Sequence, residues 1–129
     1  MKLVSGIDLV EIDRINSLDP AKKTRFLQRI LTPKERETHL TDKSIAGVFA
    51  AKEAAAKALG CGIGPISWQD MEVLPDEKGK PILSLHGPAL HAANDTGITI
   101  WSVSITHTAT LAAAQVIGIG LGNETAHPE

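Results

Sequence analysis

Three charged side chains in this chain have the types and spacing needed for polar chemistry. Glu53 and Lys57 stand four residues apart in an alanine-rich run from Phe49 to Gly60, so a helix would place them on one face, one turn apart. Asp8 lies in an apolar segment, where a carboxylate is costly unless it is paired, hydrogen-bonded or bound to a metal. The plainer alternatives are an exposed Glu–Lys pair and an Asp8 that meets solvent where its strand ends.

The elements that would hold these side chains can be read from local patterns. The apolar residues around Asp8 predict a buried strand, and regular alternation would put Asp8 on the same side as Val4, Gly6 and Val10. Alanine favours the helix and leaves little side-chain bulk around its charges, so this helix could bring its backbone close to a large ligand. Gly60 is the residue best suited to end the helix.

The rest of the chain predicts an α+β fold. Asp19-Pro20 opens a helix that should run to about Leu31, and Thr32 to Glu35 form a capping box that starts a short second helix. Helices clustered after one strand and followed by hairpins favour a small domain with an antiparallel sheet. The other predicted elements are a helix over 43–59, strands over 71–74 and 81–85, an alanine-rich helix from Gly87 to Gly97, and strands over 98–106 and 109–119.

Length and composition exclude several classes of protein. The 129 residues suit one domain, which we assign to 1–120, with a flexible tail over 121–129. The single cysteine, Cys61, excludes an internal disulfide framework and fits the cytoplasm. No apolar run is long enough to span a membrane. The scarcity of aromatic residues disfavours a base-stacking nucleic-acid surface.

Positive charge is concentrated in one segment of a slightly acidic chain. Residues 14–36 contain seven basic and two acidic residues, whereas the whole chain has a net charge of −2. Arg25 and Arg29 would lie one turn apart on the first long helix. A basic face is usually only a solvated one, but localised positive charge also steers an acidic partner toward the protein.

Three motifs, in this order and spacing, resemble the holo-(acyl-carrier-protein) synthase family of 4′-phosphopantetheinyl transferases. The resemblance covers about residues 4 to 119, and its middle motif is long and specific. The matching parts are Gly6-Ile7-Asp8 with Arg14-Ile15, the run Phe49 to Gly60, and Ser104-Ile105-Thr106-His107, with Gly79-Lys80-Pro81 as a further element.

The resemblance implies an enzyme that moves the phosphopantetheine arm of coenzyme A onto a serine of apo acyl carrier protein, for fatty acid biosynthesis. It implies Mg²⁺ held by Asp8 and Glu53, with Glu53 and Lys57 as the catalytic residues. It further implies cytoplasmic homotrimers with sites between adjacent subunits. The implied contacts to coenzyme A are Lys52, Lys57, Gly60, Gly62, Gly79, Pro81 and His107, and the implied carrier contacts are Arg14, Arg25, Phe26 and Arg29.

Two positions depart from the family pattern, and other functions stay open. Val48 stands where many members have arginine, which puts one phosphate or interface contact in doubt, and Thr106 replaces a serine but keeps the hydroxyl. The glycines after the helix could equally form a flexible connection. The alternatives are a carrier- or nucleotide-binding module without turnover, and another magnesium-dependent phosphotransferase or phosphohydrolase. The remaining histidines lack metal-like spacing and are expected at the surface: His39, His86, His91 and His127.

Overall fold

The predicted α+β architecture is confirmed by the computed structural model, which describes residues 1–39 and 41–121. Most of the predicted tail, residues 122–129, therefore lies outside the described part. In chain order the described elements are β1 (Lys2–Glu11), α1 (Asp13–Asn16), α2 (Pro20–Ile30), α3 (Pro33–Thr38), α4 (Asp42–Leu59), a 3₁₀ turn (Trp68–Asp70), β2 (Met71–Pro75), β3 (Pro81–Leu85), α5 (Gly87–Thr96), β4 (Ile100–His107) and β5 (Leu111–Gly120).

A three-stranded antiparallel sheet carries Asp8, the first of the two predicted metal ligands. Its strand order is β1-β5-β4, and β2 and β3 form a separate antiparallel hairpin. Asp8 pairs with Ala114 of β5, and Val10 pairs with Ala112. Gly6 and Val10 are buried and Asp8 is partly buried, whereas the side chains between them are exposed. Asp8 therefore lies on the inner face of the sheet, as the alternation predicts.

Helix α4 packs across that inner face, and its alanines make the close approach possible. Ala50, Ala51, Ala54 and Ala55 are fully buried. A methyl group added at Gly6 would overlap the carbonyl oxygen of Ala54. The small side chains thus let helix and strand backbones touch, while the approach of this helix to a large ligand stays a prediction.

The caps of α2 and α3 match the sequence prediction. Asp19 accepts a hydrogen bond from the Lys22 amide at 2.9 Å, and Pro20 occupies the first turn of α2. Thr32 and Glu35 form both halves of the predicted capping box. Helix α1 has only four residues and was not predicted, because so short an element has no apolar periodicity to detect.

The outer face of the sheet exposes large apolar side chains. Leu9 is 62% exposed, and the other members of this face include Leu3, Ile7 and Ile100. Contiguous exposed apolar patches mark interaction surfaces more often than plain solvent-facing surface. We call this surface, formed by Leu3, Ile7, Leu9, Ile100 and Ile117, the outer apolar face.

Candidate active site

Lys57 joins the two elements that carry the predicted carboxylates. Its ammonium donates to the carbonyl oxygen of Ile7 at 2.9 Å and to Oδ1 of Asp8 at 3.0 Å. The Lys57 side chain is 53% exposed and that of Asp8 only 17%, so the pair lies where the helix–sheet interface opens to solvent. The structure thus brings Asp8 and Lys57 together although 49 residues separate them in the chain.

Glu53 lies one turn before Lys57 on α4, where Asp8, Lys57 and Arg14 influence its pKa. Burial is the main cause that raises the pKa of Glu53 above its ordinary value, and the Asp8 carboxylate raises it further. Lys57 and Arg14 act in the opposite direction. Two carboxylates and two cations therefore interact at one edge of the helix–sheet interface. A carboxyl group with a raised pKa is better suited to accept a proton near neutral pH.

The pair of carboxylates fits a magnesium ion. Mg²⁺ prefers oxygen ligands and is usually held by one or two carboxylates, with water and substrate phosphates completing its shell. Asp8 and Glu53 offer that donor set, and Asp8 raises the pKa of Glu53 as nearby like charges do. Across residues 1–39 and 41–121 there is no cluster of three or more His, Cys, Asp or Glu side chains that would form a protein-only metal cage. A metal held by Asp8 and Glu53 together with a phosphate ligand stays a prediction.

Two of the predicted carrier contacts, Arg14 and Phe26, pack against Phe49 of α4. The guanidinium carbon of Arg14 lies 5.2 Å from the centroid of the Phe49 ring, one turn before Glu53 on α4. Phe26 is half-buried and meets Phe49 edge-on, with ring centroids 5.4 Å apart. Arg25 and Arg29 are exposed on α2. The three arginines can meet a partner, whereas Phe26 also has a structural role.

Three of the predicted contacts to coenzyme A line one cleft. Its volume is about 410 Å³, and Gly79, Pro81 and His107 are among its lining residues. Lys43, at the start of α4, contributes a positive charge to this cleft that the sequence analysis did not identify. No local pattern marks Lys43, because only the fold brings the start of α4 next to the β2–β3 turn. Val48 also lines the cleft, and its side chain is buried.

Gly60 and Gly62 follow Lys57 at the end of α4. Gly60 has a φ of +81° and caps the helix through its amide, which donates to the carbonyl oxygens of Ala56 and Lys57. Gly62 also has a positive φ, of +66°. A left-handed conformation that favours glycine accounts for both residues without a ligand. Their contact with coenzyme A stays a prediction.

Lys52 does not occupy the predicted ligand site. Its side chain is fully buried, and its ammonium donates to the carbonyl oxygens of Ile30 and Trp68 and to Oε1 of Glu35. An ammonium group has three donors, and all three are used. Burial lowers the pKa of Lys52, and the Glu35 carboxylate opposes that shift. The prediction that Lys52 binds coenzyme A is therefore wrong.

His39 is also not the surface residue that was expected. Its Nε2 lies 2.7 Å from the carbonyl oxygen of Val73, and its Nδ1 lies 2.8 Å from the hydroxyl oxygen of Ser44. The ring thereby ties the end of α3 to β2 and α4 and forms part of the cleft wall. His86 and His91 are exposed as expected, and His127 lies outside the described residues.

Comparison with known proteins defines the class to which this fold and site belong. The family model of the 4′-phosphopantetheinyl transferase superfamily matches residues 5–111. The holo-[acyl-carrier-protein] synthase of Herpetosiphon aurantiacus is 45% identical over 126 residues, covering 92% of this chain and 99% of the relative. That of Solidesulfovibrio magneticus is 50% identical over 115 residues, covering 87% and 94%.

Solved structures give the same result. The crystal structure of Helicobacter pylori holo-[acyl-carrier-protein] synthase in complex with coenzyme A matches with a TM-score of 0.79 and 37% identity, over 89% of this chain and 99% of that one. This chain belongs to the 4′-phosphopantetheinyl transferase superfamily and, within it, to the holo-(acyl-carrier-protein) synthase family. The resemblance stated from the motifs is therefore confirmed. No helix in the described part of the chain is both long and apolar enough to cross a bilayer.

Proposed function

We propose that this protein transfers the 4′-phosphopantetheine arm of coenzyme A to a serine of apo acyl carrier protein, in the cytoplasm and for fatty acid biosynthesis. The observation that carries the proposal is the group of charges formed by Asp8, Glu53 and Lys57 across β1 and α4. A relative of known structure binds coenzyme A, which supports the choice of donor. A module that only docks partners would not need two carboxylates and a cation at one position.

The chemistry of each residue follows from its position. The carrier's serine oxygen attacks the β-phosphorus of the pyrophosphate, a new O–P bond forms, and adenosine 3′,5′-bisphosphate leaves with the electrons of the broken P–O bond. Glu53 accepts the serine proton, directly or through water, as a carboxylate placed beside the reacting groups can. Lys57 offers positive charge to the phosphates and stabilises the leaving group. Such transfers depend mainly on positioning and on charge stabilisation.

Asp8 and Glu53 would hold the magnesium ion of this reaction. A bound Mg²⁺ would neutralise part of the negative charge of the pyrophosphate. Lys57 donates to Asp8, and this contact keeps the Asp8 carboxylate turned toward the site.

Coenzyme A would use two surfaces of the protein that are far apart in one chain. Gly47 lines the cleft of Gly79, Pro81 and His107, and ten residues of α4 separate Gly47 from Lys57. At the rise of an α-helix that separation is about 15 Å. A site that combines the Lys57 end of one chain with the cleft of a neighbour would join these two surfaces.

The outer apolar face supports the assembly of an oligomer, and the number of three subunits follows from the family resemblance. Leu3, Ile7 and Leu9 of β1 are each more than 60% exposed, although β1 forms part of the main sheet. Burial of such side chains contributes about 1.5–3 kcal/mol each, which favours a partner over solvent. Closed symmetric assemblies are the usual state of soluble homo-oligomers. A trimer would cover this face and bring each cleft close to a neighbouring Lys57.

Leu9→Lys is expected to break the trimer. A lysine at this position would put a charge into an interface that excludes water, so the variant should be a monomer in multi-angle light scattering and should lose most transfer activity. Leu90→Lys, on α5, is the matched control because Leu90 is also exposed, at 44%, and lies on another surface. A Leu9→Lys protein that remains trimeric would contradict the proposed interface.

Charge reversal on α2 is expected to weaken carrier binding selectively. In Arg25→Glu/Arg29→Glu, the KM for the acidic carrier should rise by about tenfold or more, since reversed charge repels the partner and slows its association. The KM for coenzyme A should not change. Lys34→Glu/Lys78→Glu applies the same charge change to exposed residues of α3 and the β2–β3 turn. Equal effects in both double variants would show that net charge, and not α2, sets carrier affinity.

The test of the proposed function is a mass measurement on the carrier. Purified protein, coenzyme A, Mg²⁺ and apo acyl carrier protein are mixed, and the carrier should gain the mass of one phosphopantetheine arm. Chelation of divalent cations and the Lys57→Ala substitution should each suppress the gain. Several apo carriers that stay unmodified while coenzyme A still binds would favour the non-catalytic binding module.

A further inference from the structure

The end of α2 is held by side chains from three other elements. An α-helix leaves its last carbonyl oxygens without intrahelical donors, and α2 has no glycine cap because Leu31 continues in an extended conformation. Instead, the Gln69 carboxamide, the Lys52 ammonium and the Arg36 guanidinium supply the donors. Gln69 donates to the carbonyl oxygens of Gln28, Arg29 and Leu31. Lys52 donates to the carbonyl oxygen of Ile30, and Arg36 donates to that of Leu31.

The strongest of these contacts are short. Lys52 Nζ lies 2.6 Å from the Ile30 carbonyl oxygen, and Gln69 Nε2 lies 2.6 Å from that of Leu31. Arg36 Nη1 lies 2.9 Å from the same Leu31 oxygen. We call these three side chains and the carbonyl oxygens of Gln28 to Leu31 the helix clamp.

A buried ion pair anchors the clamp. Glu35 is fully buried and accepts hydrogen bonds from Lys52 and the Thr32 amide through Oε1, and from the Val73 amide through Oε2. Apolar residues of similar volume often stabilise a core as well as a buried ion pair does, so stability alone does not account for the pair. The pair does fix geometry, because Glu35 and Lys52 join α3, α4 and β2 at one point.

The clamp connects the carrier-binding candidates to the active-site helix. Lys52 immediately precedes Glu53 on α4, so α2 is attached to the same turn of α4 that carries the candidate base. The rings of Phe26 and Phe49 form a second attachment between the two helices. Arg25 and Arg29 lie in the last two turns of α2, next to the clamped carbonyl groups. The clamp thus sets the position of the basic surface relative to Glu53.

We propose that Gln69, Arg36 and Lys52 are positioning residues that hold α2 at the angle from which a docked carrier presents its serine to the site. The proposal rests on the proposed function, because it assigns carrier binding to α2. Misplacement of reacting groups by about 1 Å can cost 100-fold in rate, so a helix that pivots at its end would matter to transfer. Coenzyme A would bind elsewhere and does not depend on the clamp.

Gln69 is suited to the test because its residue is exposed and its replacement leaves no buried charge. In Gln69→Met, a neutral side chain of similar length removes all contacts of the carboxamide, and KM for the carrier should rise by at least about threefold if the stability of even one net hydrogen bond is carried into docking. Gln69→Met/Arg36→Met removes both donors to Leu31 and should have a larger effect. KM for coenzyme A should stay constant in both variants. Asn94→Leu and Lys34→Met/Asn94→Leu are the matched controls on exposed positions.

Hydrogen exchange tests the clamp without turnover. The amides in the last turn of α2 should exchange faster in Gln69→Met than in the wild type, while those of α5 should not change. Unchanged carrier KM together with unchanged exchange would overturn the proposal, and so would equal increases in KM for carrier and coenzyme A. A wild-type protein that modifies no carrier would instead contradict the proposed function. The hydrogen-exchange rates of the α2 amides would still show whether the three side chains hold the end of α2.

Discussion

Glu53→Gln is expected to lower the rate of phosphopantetheine transfer by about 10²–10⁴-fold, the range for removal of a general base. Glutamine keeps the size of the side chain and one oxygen acceptor, but it cannot take the serine proton and is a weak ligand for Mg²⁺. Burial and Asp8 raise the pKa of Glu53, whereas Lys57 and Arg14 lower it. The change therefore removes the carboxyl group whose pKa Asp8, Lys57 and Arg14 all influence.

The measurement is a single-turnover rate with saturating coenzyme A and carrier, followed by the mass of the carrier. Glu77→Gln, at an exposed position between β2 and β3, is the matched control and should retain the wild-type rate. The unfolding midpoint of Glu53→Gln should stay near that of the wild type, because the residue is only half-buried. A rate within about threefold of wild type would remove Glu53 from the catalytic role.

Gly6→Ala is expected to destabilise the protein and to reduce transfer further than the loss of folded protein explains. The added methyl group would overlap the Ala54 carbonyl oxygen and would lie 3.0 Å from the Ala58 amide nitrogen. These are backbone atoms of α4, so no side chain can rotate away. Overpacking of this kind costs about 1–3 kcal/mol and occasionally more.

The functional consequence follows from the position of Gly6 in β1. Asp8 is the next residue along the strand on the same face, and Glu53 and Lys57 lie on the helix that the methyl group would push away. Urea unfolding would measure the stability, and the transfer rate per folded molecule would measure the site. Ser84→Ala, at an exposed position of β3, is the control. Wild-type stability and rate in Gly6→Ala would show that the contact between β1 and α4 is not needed.

Local sequence was sufficient for the elements whose signals act over three or four residues. Asp19 binds the Lys22 amide and Thr32 pairs with Glu35, and both caps span three residues. Gly60 and Gly97 end α4 and α5 in the left-handed conformation, as their patterns indicated. The alternation in β1 also placed Asp8 on the inner face. These features depend on backbone geometry that neighbouring residues determine, so a single sequence reveals them.

Contacts between residues that are far apart in the chain could not be predicted from local sequence. Lys52 and Lys57 lie five residues apart on the same helix, and nothing local separates the roles of their ammonium groups. The fold gives Lys52 a buried partner in Glu35 and gives Lys57 an open position beside Asp8. The resemblance of motifs identified the family, but it assigned Lys52 to coenzyme A because motif matching carries no information on burial.

The sequence by itself determined the α+β class, the capped helices, the family, and the carboxylates and lysine to examine. Only the tertiary structure decided that Lys57 reaches Asp8, that Gly6 is required for helix–strand contact, and that Gln69, Arg36 and Lys52 hold the end of α2. The physical reason is the distance along the chain. Caps and turns close over a few residues, whereas Lys57 meets Asp8 across 49 residues and Gln69 meets Leu31 across 38, and only packing of the whole chain brings such groups together.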